Sequence, residues 1–253
     1  MIARVYALEA KYEFLKLLRM PAFAIPTIAF PVMFYALFGV TFGAGRVTAT
    51  TTMATYLIAT YGAFGVIGAS LFGFGVGVAV ERGQGWLTLK RATPMPPMAY
   101  FTAKLAMAAL FSVIIVMLLF GMGAGFGGVT FPAVTWTRLF IVLVLGAIPF
   151  GAVGLALGYL AGPNSAPALV NLLYLPMSFA SGLWIPIEVL PPFMKAIAPF
   201  LPPYHLGQLA LGVIGAGAGA PAWTHILALA GFTAIGLGVA MWGYRRDEDK
   251  TWG

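Results

Sequence analysis

Charged positions along this chain fall in clusters, and the stretches between them are long and apolar. Met20–Gly45, Val47–Val80 and Leu105–Thr137 contain no Asp, Glu, Lys or Arg, and neither do two longer runs, Leu139–Ile187 and Ala196–Tyr244. A helix that crosses a bilayer needs about 20 apolar residues, so each of the first three runs holds one crossing. The fourth is divided by the turn cluster Gly162-Pro163-Asn164-Ser165-Ala166-Pro167. The fifth opens on Pro199, Pro202 and Pro203 and reaches an unbroken span only after Pro221. The pattern predicts an all-α membrane protein with six spans, roughly 22–43, 53–80, 104–127, 138–161, 166–183 and 222–244, in a single transmembrane domain over 1–253. Five would follow if the segment after Pro167 only dips into the membrane.

Three segments are not simple spans. In residues 1–20 the positions Ala3, Tyr6, Ala7, Ala10, Phe14, Leu17 and Leu18 recur at helical spacing, while Arg4, Glu9, Lys11, Glu13, Lys16 and Arg19 fill the other half of the wheel. That is the pattern of an interfacial amphipathic helix; an ordinary lead-in anchored by its cations fits equally. Between the second and third spans, 81–103 contains the longest polar stretch between spans. There Leu87 to Ala92 can form a short helix ended by Thr93-Pro94, because a residue before proline avoids the helical region. It offers Trp86, Leu89, Lys90 and Arg91 to a partner, or else is a solvated loop held by its charges. The segment 184–220 is apolar enough to stay in the membrane, yet its prolines forbid a straight helix. Irregular backbone at that depth survives only when buried in protein or lining a cavity, so we expect a re-entrant pair of short helices before the last span.

Composition agrees: 61% of residues are hydrophobic and 8% charged, against about 25% charged in soluble domains. The net charge of +7 is explained by its placement. With both termini cytoplasmic, eleven Lys and Arg (Arg4, Lys11, Lys16, Arg19, Arg82, Lys90, Arg91, Lys104, Arg245, Arg246 and Lys250) lie inside and three (Arg46, Arg138 and Lys195) outside. That bias orients the chain in a cell (inner) membrane without invoking nucleic acid. No cleavable signal peptide is evident, so the first span is expected to act as an uncleaved anchor.

Little catalytic chemistry is encoded. There are no cysteines, and the two histidines, His205 and His225, stand far apart in sequence, which argues against a metal site. No Gly-Lys pair exists, so the chain has no Walker A loop and ATP hydrolysis must reside on a partner. Gly123, Gly125 and Gly128 match a dinucleotide-loop spacing but follow no strand and are discarded. Glycines four apart (Gly39 and Gly43, Gly73 and Gly77, Gly121 and Gly125, Gly154 and Gly158) allow close helix approach, within the chain before a dimer seam. Only Glu188 and Lys104 are candidates for buried charge: Lys104 is expected to snorkel to the surface and Glu188 to cap a re-entrant helix. So few intramembrane charges leave ion coupling without a relay and suit an apolar or amphipathic cargo, for which Phe30, Met33, Phe34, Phe72 and Phe179 could line a route.

Two of these segments carry a resemblance. Glu81-Arg82, then Gly85-Trp86-Leu87, then Thr93-Pro94 is similar to the cytoplasmic loop of the type-two ATP-binding-cassette (ABC) exporter permeases. Ser181-Gly182, Pro186-Ile187-Glu188 and Leu190-Pro191 resemble the same family's signature before its last span. The resemblance implies a permease homodimer or heterodimer in membrane lipid, working by alternating access and driven by two separate ABC ATPase subunits that bind ATP and Mg. It places the ATPase-coupling helix at Glu81, Arg82, Gly85, Trp86, Leu87, Lys90 and Arg91, and the outer re-entrant segment at Gly182, Pro186, Glu188 and Pro191. Relatives handle drugs, as in multidrug resistance, or lipids and glycans. Gly83, Gln84 and Thr88 depart from the charged residues common there. The competing readings are a membrane scaffold or assembly subunit and a membrane-embedded lipid-modifying enzyme; the latter needs clustered acids, histidines or a nucleophile, which are not visible.

Overall fold

The computed structural model describes residues 2–48, 51–93 and 95–249; of Arg91, Pro97, Asp247, Glu248 and Asp249 only the backbone is described. Every regular element among them is helical. Helix α1 (Ile2–Leu18) precedes α2 (Pro21–Phe34), which runs on as a π-helical stretch, Tyr35–Val40. Helix α3 (Met53–Ser70) passes through a π-helical segment, Leu71–Val76, into α4 (Gly77–Gly83), and the short α5 (Trp86–Arg91) follows. Then come α6 (Pro97–Gly125), α7 (Ala133–Leu145), α8 (Ala147–Leu160), α9 (Ala166–Ala180), α10 (Pro192–Ile197), α11 (Pro202–Val213) and α12 (Ala222–Asp249).

Five helical stretches are long and apolar enough to cross a membrane: Pro21–Val40, Met53–Gly83, Met98–Gly125, Ala133–Leu160 and Ala222–Arg246. The sixth expected span, α9, is a 15-residue apolar helix. At 1.5 Å per residue it is about 22 Å long, short of a bilayer core of roughly 30 Å. Its neighbours nevertheless carry it alongside most of α3. A Cβ at Gly75 would meet Val170, and the Gly182 carbonyl, just past α9, accepts a hydrogen bond of 3.0 Å from the Tyr56 hydroxyl. The rise from Gly75 back to Tyr56 is roughly 28 Å.

The second span is the centre of the bundle. Every residue from Tyr56 to Leu71 is buried, and the run is rich in Ala and Gly (Ala59, Gly62, Ala63, Gly65, Gly68 and Ala69). In lipid there is no hydrophobic gain between helices, so small residues that let backbones approach closely become the packing device. The clearest case is α8 against the π-helical segment: a Cβ on Gly158 would stand 2.8 Å from the Val78 Cβ and 3.1 Å from the Gly75 carbonyl oxygen. Gly154 lies as close, with a Cβ 3.1 Å from the Ser70 carbonyl oxygen; Gly39 and Gly73 lie under the side chains of Tyr35 and Met107, whereas Gly121 and Gly125 face open space.

The segment before the last span is the expected pair of short helices, α10 and α11, preceded by a 3-10 turn at Ile187–Val189. The tandem prolines Pro202 and Pro203 open α11, where the missing N–H has no intrahelical role and the fixed φ suits the first turn. Helix α11 buries His205, Leu206, Gly207, Gln208, Ala210 and Leu211 against its neighbours α12, α3 and α7.

Helix α1 departs from the expected wheel. Phe14 and Leu17 of its apolar stripe pack into the core, with the Phe14 ring 5.3 Å from Phe111. Glu13, expected on the polar half, is buried as well. The polar face of α1 is therefore turned in part toward other helices, and the reason is electrostatic.

Candidate functional site

Charged side chains of α1, α4, α5 and α6 converge at one end of the bundle, here called the basic end. The Lys104 ammonium, with no exposed side-chain surface, donates to Glu13 Oε1 at 2.6 Å and to Glu81 Oε1 at 3.1 Å. Lys16 spans the same two carboxylates, 2.8 and 2.9 Å from the Glu13 oxygens and in contact with Glu81. The Tyr100 hydroxyl donates to Glu81 Oε2 at 2.6 Å. Lys104 thus does not snorkel to the surface. Two carboxylates on other helices hold it in place, as required of a charge that cannot reach water. Burial by itself would lower the Lys16 pKa, but Glu81 and Glu13 outweigh it and raise it above the ordinary 10.5. A pKa raised on folding means that this contribution to stability is complete below 10.5 and is lost only as pH climbs through the higher folded value.

Glu81 and Arg82, expected to meet a partner, are both turned into the protein. Glu81 belongs to the cluster just described. Arg82 Nη2 donates to the Ala161 carbonyl at 2.8 Å and Nη1 to the Tyr159 carbonyl. It satisfies carbonyls at the C-terminus of α8 and brings a cation to the negative end of that helix dipole. Lys90 reaches back to Glu9 of α1 and lies 4.8 Å from the Tyr100 ring centroid. Leu87 is half-buried. The large apolar side chains that α5 exposes are Trp86, 52% accessible, and Leu89, 60% accessible, with Thr88 exposed between them. Pro94 lies outside the described residues, as does the side chain of Arg91.

Gly85 sets the direction of α5. It has φ 77°, in the left-handed region, and a Cβ there would meet nothing within 4 Å. Gly85→Ala therefore imposes only a backbone penalty, about 1–2 kcal/mol. We expect a fall in unfolding temperature of about 2–4 °C per kcal/mol, with α5 re-aimed, which thermal unfolding in detergent checks.

Beside the cluster a cavity of about 970 Å³ opens. Phe23, Pro26, Phe30 and Pro31 of α2 line one wall and Asn171, Tyr174 and Leu175 of α9 the other, with Gly68, Phe72 and Val76 at its back. Its floor is ionic, made of Glu9, Glu13, Lys16, Glu81 and Lys90, and Trp86 also lines it. Of the five side chains considered for a cargo route, Phe30 and Phe72 line this cavity. Phe34 and Phe179 pack instead on Trp184, at 5.2 and 6.2 Å, and Met33 faces outward from the monomer.

At the far end of the bundle, Gly182 has φ 75° and makes the turn out of α9, Pro186 is buried, and Pro191 is the exposed residue before α10. Glu188 is exposed rather than buried; it stands in the first turn of the 3-10 helix, but neither that turn nor α10 has a side-chain cap hydrogen bond. Its carbonyl accepts a hydrogen bond of 2.6 Å from Lys195. The two histidines, distant in sequence, meet: His205 Nδ1 is 3.0 Å from His225 Nδ1, and His205 Nε2 is 2.9 Å from the Pro199 carbonyl. Among the described residues no group of three or more His, Cys, Asp or Glu gathers there or elsewhere in a metal-binding arrangement. The pair fastens α11 to α12.

Residues 6–214 match the model of the family described as ABC-2 type transporter. The chain is also similar to a protein of Bacillus subtilis (strain 168) that bears the name "Putative transport permease YvfS", with 28% identity over 236 residues that cover 93% of this chain and 95% of that protein. The matched region takes in α1 from residue 6 on, the ion cluster, α5, the cavity walls, α10 and α11. The chain belongs to the ABC-2 type transporter family and is a multi-pass membrane protein of the transport-permease kind.

Proposed function

We propose that this permease is the membrane half of an ATP-driven exporter, that a separate ABC ATPase docks on α5, and that the basic end faces the cytoplasm with both termini. Membership of the ABC-2 family supports an ABC ATPase as partner, and that partner would bind the ATP and Mg. The observation that carries the reading is the contrast within the loop. Trp86 and Leu89 are exposed on a helix of six residues, while Glu81, Arg82 and Lys90 around them are tied to α1, α6 and α8. An aromatic and a leucine on a rigid platform form an anchor for a partner groove. The charges are positioning residues that pass a push on α5 into the spans.

The cavity is the proposed cargo route, opened alternately to the two sides as two permease chains, identical or not, rock against each other. Apolar walls above an ionic floor fit an amphipathic molecule such as a drug, a lipid or a lipid-linked glycan. The absence of native cysteine makes a direct test simple. A single cysteine at Leu89, but not one at Gly121, should cross-link to a co-expressed partner ATPase. Equal cross-linking from both positions, or none from Leu89, contradicts docking at α5.

A further inference from the structure

Two prolines inside α2 change what the cavity can bind. Pro26 and Pro31 have no N–H, so the carbonyls of Ala22 and Thr27 lose the donor four residues on. Ala22 and Thr27 both line the cavity. The Thr27 side chain adds a third unpaired oxygen. Ser70, Thr102, Ser112, Thr137 and Thr233 all donate to the carbonyl four residues earlier, whereas the half-buried Thr27 makes no such bond and has no other side-chain hydrogen bond within the chain.

The opposite wall carries a matching group. Asn171 is the one side-chain amide of α9; it is exposed, lines the cavity and makes no side-chain hydrogen bond within the chain. Its height follows from the second span, against which both walls pack. A Cβ at Gly73 would meet Phe23 and one at Gly65 would meet Pro31, so Thr27, midway, is level with Ala69. A Cβ at Gly75 would meet Val170 and one at Gly68 would meet Tyr174, which sets Asn171 level with Gly73. At 1.5 Å per residue the two stand about 6 Å apart in height, on facing walls of one cavity. The ionic floor at Glu81 is about 12 Å beyond Gly73 along the same span.

These groups set a requirement on what enters. A polar group at membrane depth has to be satisfied by protein, water or ligand. Cargo that displaces water from Thr27 and Asn171 must replace its hydrogen bonds or leave both residues unpaired. The Ala22 and Thr27 carbonyls only accept, so the cargo has to bring donors. An ammonium is drawn instead to the carboxylates of the floor, so the donors that suit this level are uncharged.

We propose that Ala22, Thr27 and Asn171 form a hydrogen-bonding subsite for an uncharged donor, a hydroxyl or an amide N–H, carried on an amphipathic cargo about 12 Å from the group that meets the ionic floor. The subsite selects hydroxylated amphiphiles over equally apolar ones without the donor, because a site built to hydrogen-bond a group rejects the analogue that lacks it. The inference rests on the cavity being the cargo route and asks nothing of an ATPase at α5.

The test uses the full chain in lipid bilayers with Phe30→Cys, a cavity position in a chain without native cysteine, and follows its alkylation by N-ethylmaleimide. The probes are 1-O-dodecylglycerol and its dimethyl ether, which share an apolar body and differ in their hydroxyl donors. Dodecylglycerol should protect the cysteine with about tenfold higher affinity than the ether. Thr27→Val with Asn171→Leu, both close in volume to the residues replaced, should erase that difference and leave alkylation without probe unchanged. Equal protection by the two probes, or a difference that survives in the double variant, overturns the subsite and leaves the cargo route standing. Protection by neither probe overturns both. If the double variant instead separates a dimer of the chain, these groups hold a second copy and the proposal falls. Should that variant fail to fold, Pro31→Ala, which returns an N–H to the Thr27 carbonyl, must narrow the difference between the probes; an undiminished difference overturns the proposal equally.

Discussion

Lys104→Met should lower the stability of the chain by about 3–5 kcal/mol. The methionine side chain fits the space of the lysine stem, so the loss is not one of volume. It arises because Glu13 and Glu81 would then face each other inside the protein with the Lys16 ammonium alone between them, and Lys16 is 41% exposed where Lys104 has no exposed surface. A buried pair adds little when intact, but a buried charge left without its partner is expensive. Unfolding in detergent measures the fall, and limited proteolysis should show α1 released from α6. The triple replacement of Glu13, Glu81 and Lys104 by apolar residues of similar size should recover much of the loss. If Lys104→Met unfolds like the wild type, the cluster is not what holds α1 to the spans.

The second large effect separates coupling from stability. Trp86→Ala combined with Leu89→Ala should leave the unfolding temperature unchanged, because both side chains are exposed and bear no part of the core. Truncating an aromatic anchor at the centre of an interface costs about 2 kcal/mol or more, on the order of thirtyfold in affinity. Transport in reconstituted vesicles that hold both subunits should therefore fall to background while the permease remains folded. Lys104→Met, by contrast, should lower transport and stability together. Normal transport by the double variant would remove α5 from the coupling route.

The spans were legible in the sequence because lipid forbids charge over long stretches, and charge-free runs mark them without any reference to partners. A short helix at Leu87 to Ala92 was legible from Thr93-Pro94 after it, and α5 begins one residue earlier, at Trp86. The ion cluster was hidden. Lys104 meets Glu13 and Glu81 across 91 and 23 residues of sequence, and a helical wheel for α1 separates polar from apolar positions but not water from a neighbouring helix. Glu81 and Arg82 were expected to meet a partner, yet both turn into the protein; sequence alone does not tell an exposed charge from one tied to neighbouring helices. Pro202 and Pro203 were read as breaking the run that becomes a span only after Pro221, although they begin α11. The His205–His225 contact depends on how helices pass one another, which periodicity within a single helix does not carry.

The proposed seating of a separate ABC ATPase on α5 has one direct test. The measurement is to co-express the chain with a candidate ABC ATPase from a neighbouring gene, purify through a tag on the permease, and compare the ATPase's hydrolysis rate in bilayers with and without the permease. If the ATPase docks on α5, it copurifies, its rate changes severalfold when the permease is present, and Trp86→Ala with Leu89→Ala abolishes both effects. An ATPase that does not copurify, or that hydrolyses ATP at the same rate with and without the permease, would contradict it.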